Sequence, residues 1–317
     1  MQKLRLVFAG TPAAAVPSLE RLAQGGHEIV AVITRPPAPL GRKRVMTPSP
    51  VARAAERLGL EVVEAARLDD AVTARITELE PDLGVIVAYG GLVREPLLTT
   101  PRHGWINLHF SRLPAWRGAA PVQHALIHDE AETGAAVFRL VAELDAGDVY
   151  AELARAVGGP DTAGSLLEEL AVTGAGLLAD VVDGIAAGTA VATPQRGEPS
   201  FAPKLGIDDA RLVWTDPARR VLARYRGVTP EPGAWTTLDG ARLKLLELAS
   251  AGDAAGGADE VGVPPLAPGE FAAAGRRLFA GTGDLPIEVV RVQPAGKAAM
   301  SAPDWWRGTG RDRAVAE

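Results

Sequence analysis

The sequence predicts an α/β protein in two parts, a doubly wound and mostly parallel sheet followed by a small β-barrel. Three observations predict it. Over the first 187 residues, short β-rich runs that scarcely alternate in polarity are separated by helical patterns. A polar stretch with several prolines follows. The remaining residues then carry several short strands, two of them around an Asp-Gly turn.

Taken in order, LRLVFAG (4–10), EIVAVIT (28–34), EVVEA (61–65), LGVIVAY (83–89) and GWINLHF (104–110) read as strands. Their near-continuous apolar character marks strands covered on both faces, as in a parallel sheet under helices. VPSLERLAQGG and SPVARAAERLGL supply helices between them. TGAAVFRLVAELDAGDVYAELARAV (133–157) reads as an antiparallel pair joined through LDAGD. A helix from about Asp161 to Ala187 closes this Rossmann-like domain, and residues 188–205 read as a linker. Beyond it, DPARRVLARYRGV is a helical pattern and WTTL-DG-ARLKLLEL a hairpin. RRLFAGTGDLPIEVVRVQPAG adds further strands, and the Ala/Gly-rich stretch 249–275 reads as a mobile loop. So many short strands within 206–317 point to an OB-like barrel.

Composition narrows the chemistry. Without cysteine there are no disulfides, thiolate nucleophiles or Cys-type zinc sites, and five histidines without an HExxH pair make a transition-metal site unexpected. The net charge is −6. Residues 206–317 hold 14 Lys/Arg against 15 Asp/Glu, leaving 19 against 24 for residues 1–205, so any nucleic-acid contact must come from local clusters. Apolar runs fall short of a membrane span, and MQKLRLVFAGTPAAAV reads as a first strand and turn, not a signal peptide. A cytoplasmic protein without membrane contact is expected.

Three stretches could carry function. AGTPAAAV lacks the GxGxxG and GK[ST] spacings, so it reads as an ordinary strand–helix turn. The loop from Thr34 to Pro50 carries Arg35, Arg42, Lys43 and Arg44 with no acid among them, and is either a solvated face or a phosphate contact. In NLHFSRLPAWRGAAPVQH, strand alternation puts Asn107 and His109 on one side of the sheet, at the carboxyl end where open α/β sheets bind ligands. Asp145, in LDAGD, could hold or charge the imidazole. An Asn–His–Asp set without a Ser or Cys nucleophile suits proton transfer during acyl transfer to an amine brought by the substrate. The rival is a histidine satisfied in the core.

NLHFSRLPAWRGAAPVQ closely resembles the signature N-x-H-x-S-L-L-P-x-W-R-G-A-A-P of the formyltetrahydrofolate-dependent formyltransferases, and LDAGD resembles that family's D-x-G-D. FAGTP, LGRKRVMTPSPV, VAYGGL, FAPKL, TPEPGAWT and VQPAGKAAMSAPDW extend the resemblance over nearly the whole chain. It implies transfer of a formyl group from 10-formyltetrahydrofolate, without a metal, to the α-amino group of methionyl initiator tRNA in translation initiation. By that resemblance Asn107, His109 and Asp145 are catalytic, and Ser111, Arg112, Leu113 and Pro114 line the folate site. Arg42, Lys43, Arg44 and Lys204 contact tRNA, and the barrel is a tRNA-binding module; a monomer is expected. Two departures stand out: Arg112 where the family has Leu, and Ala14 where it has an aromatic. The alternatives are a folate-dependent sugar-nucleotide N-formyltransferase and a non-catalytic relative that binds RNA or folate.

Overall fold

The computed structural model describes residues 3–41, 43–251 and 263–317. Its contacts divide the chain into two units. The first takes the chain up to Pro121, Glu132–Ala156 and Leu166–Pro203; the second takes Val122–Ala131, Val157–Ser165 and Lys204–Glu317.

The first unit is the expected sheet. Its strands are β1 (Arg5–Gly10), β2 (Glu28–Thr34), β5 (Val62–Glu64), β6 (Leu83–Val87), β7 (Trp105–His109), β9 (Glu132–Arg139) and β10 (Val149–Ala156). They run in the order β10-β9-β7-β6-β1-β2-β5. The five from β7 to β5 are parallel, while β9 pairs antiparallel with both β7 and β10. Full burial of Leu6, Val7, Phe8 and Ala9 in β1 explains the missing alternation, since both faces are covered.

Helix starts follow local chemistry. Ser49 caps α2 (Pro50–Arg57) by accepting from the Ala52 N–H at 2.9 Å, with proline at the first helical position. Asp69 likewise caps α3 (Asp70–Glu78) through the Val72 N–H. AGTPAAAV is a 3-10 turn, Ala13–Ala15, leading into α1 (Val16–Ala23). The helix α5 (Ala163–Ala187) is long and apolar enough to cross a membrane by length and composition only, while Glu168, Glu169, Asp180 and Asp183 keep its apolar runs short. Its buried residues Leu166, Leu170, Ala171, Ala175, Leu178 and Val182 recur at helical spacing, while Glu168, Glu169 and Asp180 lie outside that stripe.

Two expectations are corrected in this unit. The basic loop is not structureless: β3 (Ala38–Leu40) and β4 (Val45–Thr47) pair as a hairpin. Prolines at 36, 37 and 39 hide that strand pattern. Residues 188–203 are not a free linker either. Thr193 bridges Val149, and β11 (Phe201–Ala202) pairs in parallel with β8 (Arg117–Gly118). Backbone groups of Thr193, Ser200 and Ala202 are bonded within unit 1 itself.

In the second unit, α4 (Pro121–Ile127) is contributed almost entirely by an early stretch of the sequence. After α6 (Ala218–Gly227) come β12 (Trp235–Leu238), β13 (Ala241–Ser250), β14 (Glu270–Ala274), β15 (Arg277–Ala280) and β16 (Ile287–Pro294). The short β17 (Met300–Ser301), α7 (Ala302–Thr309) and β18 (Arg313–Val315) follow. The antiparallel order is β12-β13-β16-β15-β14-β18, and a Leu238–Ala316 bridge returns the path to β12, closing the sheet into a barrel. Asp239 and Gly240, at φ 48° and 71°, form the expected two-residue hairpin turn. Part of the stretch expected to be a mobile loop is strand: β14 places Phe271 between Trp214 (5.4 Å) and Trp306 (6.3 Å) in the core. Residues 252–262 of that stretch lie outside the described residues.

Candidate active site

The strand β7 sets the site. A Cβ added to Gly174 of α5 would meet Leu108 at 3.1 Å, so Leu108 faces α5 and its neighbours Asn107 and His109 take the opposite face. Asn107 Oδ1 is buried without a hydrogen-bond partner among the described residues. An amide oxygen and nitrogen are told apart only by their partners. Whichever stands there, one end of the Asn107 amide is buried and left for something else to satisfy.

His109 is 5% exposed and packs edge-on against Phe138, with ring centres 6.3 Å apart. Its Nε2 lies 2.9 Å from the Trp116 carbonyl oxygen. A carbonyl only accepts, so Nε2 carries the proton and Nδ1 is the free lone pair of the neutral ring. Nδ1 faces Asp145 Oδ2 at 3.8 Å, a charge contact longer than a hydrogen bond. Burial pushes the His109 pKa below its ordinary value; the Asp145 carboxylate and the Trp116 carbonyl offset that only in part. The imidazole is therefore neutral near pH 7, able to take a proton and with a carboxylate placed to stabilise the resulting cation.

The turn bearing Asp145 is held from several sides. Asp145 itself sits at φ 45° and is 9% exposed. Its Oδ2 accepts from the Gly118 N–H at 2.8 Å. Glycine is obligatory at 147, where a Cβ would lie 1.7 Å from the Arg139 carbonyl oxygen. Gly118 is at φ 127°, and its Cβ would lie 2.6 Å from the Ala202 carbonyl oxygen. The two family-like motifs thus meet backbone to side chain.

The four residues expected to line a folate site spend most of their side-chain bonding internally. Ser111 Oγ donates to the Ala115 carbonyl at 2.5 Å, and Leu113 packs on Ala136 and Phe138 ahead of a cis bond to Pro114. Arg112 is turned to the sheet edge, pairing with Glu132 of β9 and Glu152 of β10, the latter at 2.9 Å. What this segment can offer a ligand is mainly its backbone and an apolar wall.

The cationic residues are not bonding partners in this network. Lys43 and Arg44 are exposed on the turn of the β3–β4 hairpin, beside exposed Leu40, Val45 and Met46. Arg42 lies outside the described residues. Lys204 is exposed at the start of the last segment of unit 2. The side-chain partners of His109 are the Trp116 carbonyl and Asp145, and none of these cations is among them.

Sequence reasoning missed Gln195 and a histidine pair. The Gln195 amide, in the expected linker, donates to the carbonyls of Asp145 (2.7 Å) and Gly147 (2.9 Å). Its Oε1 accepts from Arg117 Nη2 at 2.8 Å and Nε at 3.2 Å. No local pattern marks Gln195; only the fold brings residues 117, 145 and 195 together. The histidines also hold a pair that was not expected. His124 and His128 stand four apart and stack at 6.0 Å, an HxxxH spacing. Among the described residues, no group of three or more His, Cys, Asp or Glu is placed to hold a metal.

Residues 3–182 match the formyl transferase family and residues 204–310 the formyl transferase C-terminal domain. A methionyl-tRNA formyltransferase of Leifsonia xyli subsp. xyli is 62% identical over 97% of this chain and 98% of its own. One of Clavibacter sepedonicus is 59% identical over 96% and 97%. Among solved structures, an N-formyltransferase from Helicobacter canadensis, in complex with folinic acid and dTDP-3-aminofucose, covers 92% of this chain and 99% of its own at a TM-score of 0.68 and 16% identity. HypX from Aquifex aeolicus covers 97% of this chain and 48% of its own, with a TM-score of 0.63 and 17% identity. Those two likenesses are of fold.

Proposed function

The chain belongs to the formyl transferase family, and on that premise we propose how its residues divide the work. It is an enzyme that transfers the formyl group of 10-formyltetrahydrofolate to the α-amino group of methionyl initiator tRNA, a step of translation initiation. Identity of 62% over nearly the full length of both chains carries that conclusion.

The Asn107 amide, one end of which is orphaned, and the buried His109 on the same face fit a substrate whose carbonyl oxygen gains charge. As the amine attacks the formyl carbon, Asn107 donates to the formyl oxygen and stabilises its developing negative charge. His109, neutral at rest, takes the proton lost by the amine and returns it to the folate nitrogen as the old carbon–nitrogen bond breaks. Asp145 stabilises the transient imidazolium. Ser111 to Pro114 hold the folate through backbone and apolar contact, since their polar side chains are engaged. Lys43 and Arg44 on the hairpin, together with Arg42, and Lys204 supply phosphate contacts to the tRNA, and the barrel is its second platform. We place the enzyme in the cytoplasm, as a monomer, without membrane contact.

The test is to incubate the protein with 10-formyltetrahydrofolate and charged initiator tRNA and to look for formylmethionine released from the tRNA. A parallel reaction with an amino-sugar nucleotide sets the boundary. Formylation of the sugar nucleotide and not of the tRNA would overturn the assignment.

A further inference from the structure

The proton-transfer pair uses His109 and Asp145, yet the contacts that fix Asp145 lead outward to two residues with no assigned task. Asp145 adopts a left-handed backbone at φ 45°, a conformation that Asp reaches more easily than most residues and that its surroundings here hold in place. The surroundings are specific. Gln195 Nε2 donates to the carbonyls of Asp145 and Gly147, gripping the turn on both sides of Ala146. Gln195 Oε1 is in turn fixed by the guanidinium of Arg117, a residue 9% exposed that also reaches Glu143 at 3.3 Å. The residue after Arg117 is Gly118, whose N–H donates to the Asp145 carboxylate at 2.8 Å. One Arg117–Gln195 pair therefore governs both the backbone of Asp145 and the donor to its side chain.

We propose that Gln195, locked by Arg117, is a positioning residue of the active site, holding the Asp145 turn so that its carboxylate stays against His109 Nδ1. The proposal rests on the assignment of His109 and Asp145 to proton transfer. Gln195 is not needed to anchor its own segment. That segment is fastened to unit 1 independently, by the Thr193–Val149 bridge and by the β11–β8 pairing, with Ser200 Oγ accepting from the Trp116 N–H at 2.9 Å. Residues 194 and 196–199 on either side of it are exposed, and Gln195 alone among them is partly buried. Removing its amide would leave the chain path in place and release the turn on that side, with the Gly118 N–H still bonded to the Asp145 carboxylate.

The experiment compares single-turnover rates at saturating folate and tRNA for the full-length protein and for Gln195→Ala, Gln195→Glu, Asp145→Ala, His109→Ala and the double variant Gln195→Ala/Asp145→Ala. Gln195→Glu keeps the acceptor for Arg117 but loses both donors to the turn, so it tests the grip without changing size. A small displacement of a catalytic group costs on the order of 10²-fold in rate. Both Gln195 variants are expected to slow transfer by about 10- to 100-fold, with folate and tRNA dissociation constants within about twofold of the parent. The acid limb of the pH–rate profile should move to lower pH, because a displaced carboxylate stabilises the imidazolium less. In the Asp145→Ala background, Gln195→Ala should have no further effect. Equal losses in both backgrounds, or a fully active Gln195→Glu variant, would overturn the proposal. Parental rates in His109→Ala and Asp145→Ala would instead sink the underlying proton-transfer assignment, so the two failures are distinguishable.

Discussion

The segment from β7 to β8 and the β3–β4 hairpin are both polar excursions from the same sheet, and they are built on opposite principles. In the first, His109, Ser111 and Arg117 are each at most 9% exposed and each has a defined partner. In the second, Lys43 and Arg44 are exposed, and the adjacent Leu40, Val45 and Met46 are each about 60% exposed. The difference teaches what each chemistry asks of a fold. Proton transfer needs a fixed distance in a low-dielectric setting, so the chain buries and over-determines the groups. Contact with a polyanion needs only cations that reach it, so the chain leaves them in water on a short projection.

The sharpest way to break this contrast is to remove the buried base. His109→Ala is expected to slow formyl transfer by roughly 10²- to 10⁴-fold at saturating substrates while leaving folate binding near parental. A rate within about threefold of the parent would place His109 among ordinary core histidines.

Next in size is the response to pH. With the His109 pKa held low by burial, the acid-side loss of activity, about tenfold per unit, should begin at a lower pH than an ordinary histidine would give. Stability carries the same sign. Below about pH 6.5 the unfolded chain takes the proton first, so stability falls as pH drops toward the folded-state value. Histidine NMR titration reads the first quantity and urea unfolding at several pH values the second. A His109 titrating at or above the free value would remove the burial argument.

The hairpin should give a smaller and different effect. Lys43→Ala with Arg44→Ala should weaken tRNA binding while leaving folate binding unchanged. The slope of log K against log salt should fall by about one for each phosphate that the variant no longer neutralises. An unchanged slope would return the hairpin to the status of a solvated surface.

The smallest effect is expected where the two principles meet. Arg112 lies inside the buried segment, yet its guanidinium is 43% exposed and faces Glu132 and Glu152. Arg112→Leu restores the pattern usual in the family and should change stability by no more than about 1 kcal/mol, because exposed ion pairs contribute little. Folate affinity should stay within about twofold. A tenfold loss would mean that the Arg112 side chain, and not the backbone, faces the ligand.

How much of the molecule was legible depended on how local each signal was. The buried parallel strands were plain as apolar runs, and the Asp239-Gly240 turn was plain as a dipeptide. The strand Glu270–Ala274 was not, because EFAAA is alanine-rich and a single aromatic, Phe271, carries its burial. Asn107 and His109 were visible through alternation, and Asp145 through its motif. Gln195 was invisible, since its task exists only after the fold has gathered three distant segments. The neutral state of His109 was hidden too, because desolvation is a property of the packed site and not of the residue.

The barrel of unit 2 has a bearing on the order of synthesis. Its ring closes at Leu238–Ala316, yet the unit also includes Val122–Ala131, made long before. At roughly 5–20 residues per second, a ribosome would take on the order of 10–40 s to travel from residue 131 to residue 316. During that interval the early helix α4 has emerged without the barrel that it clusters with. An enzyme serving the start of protein synthesis thus completes its own second unit only as its last strand leaves the ribosome.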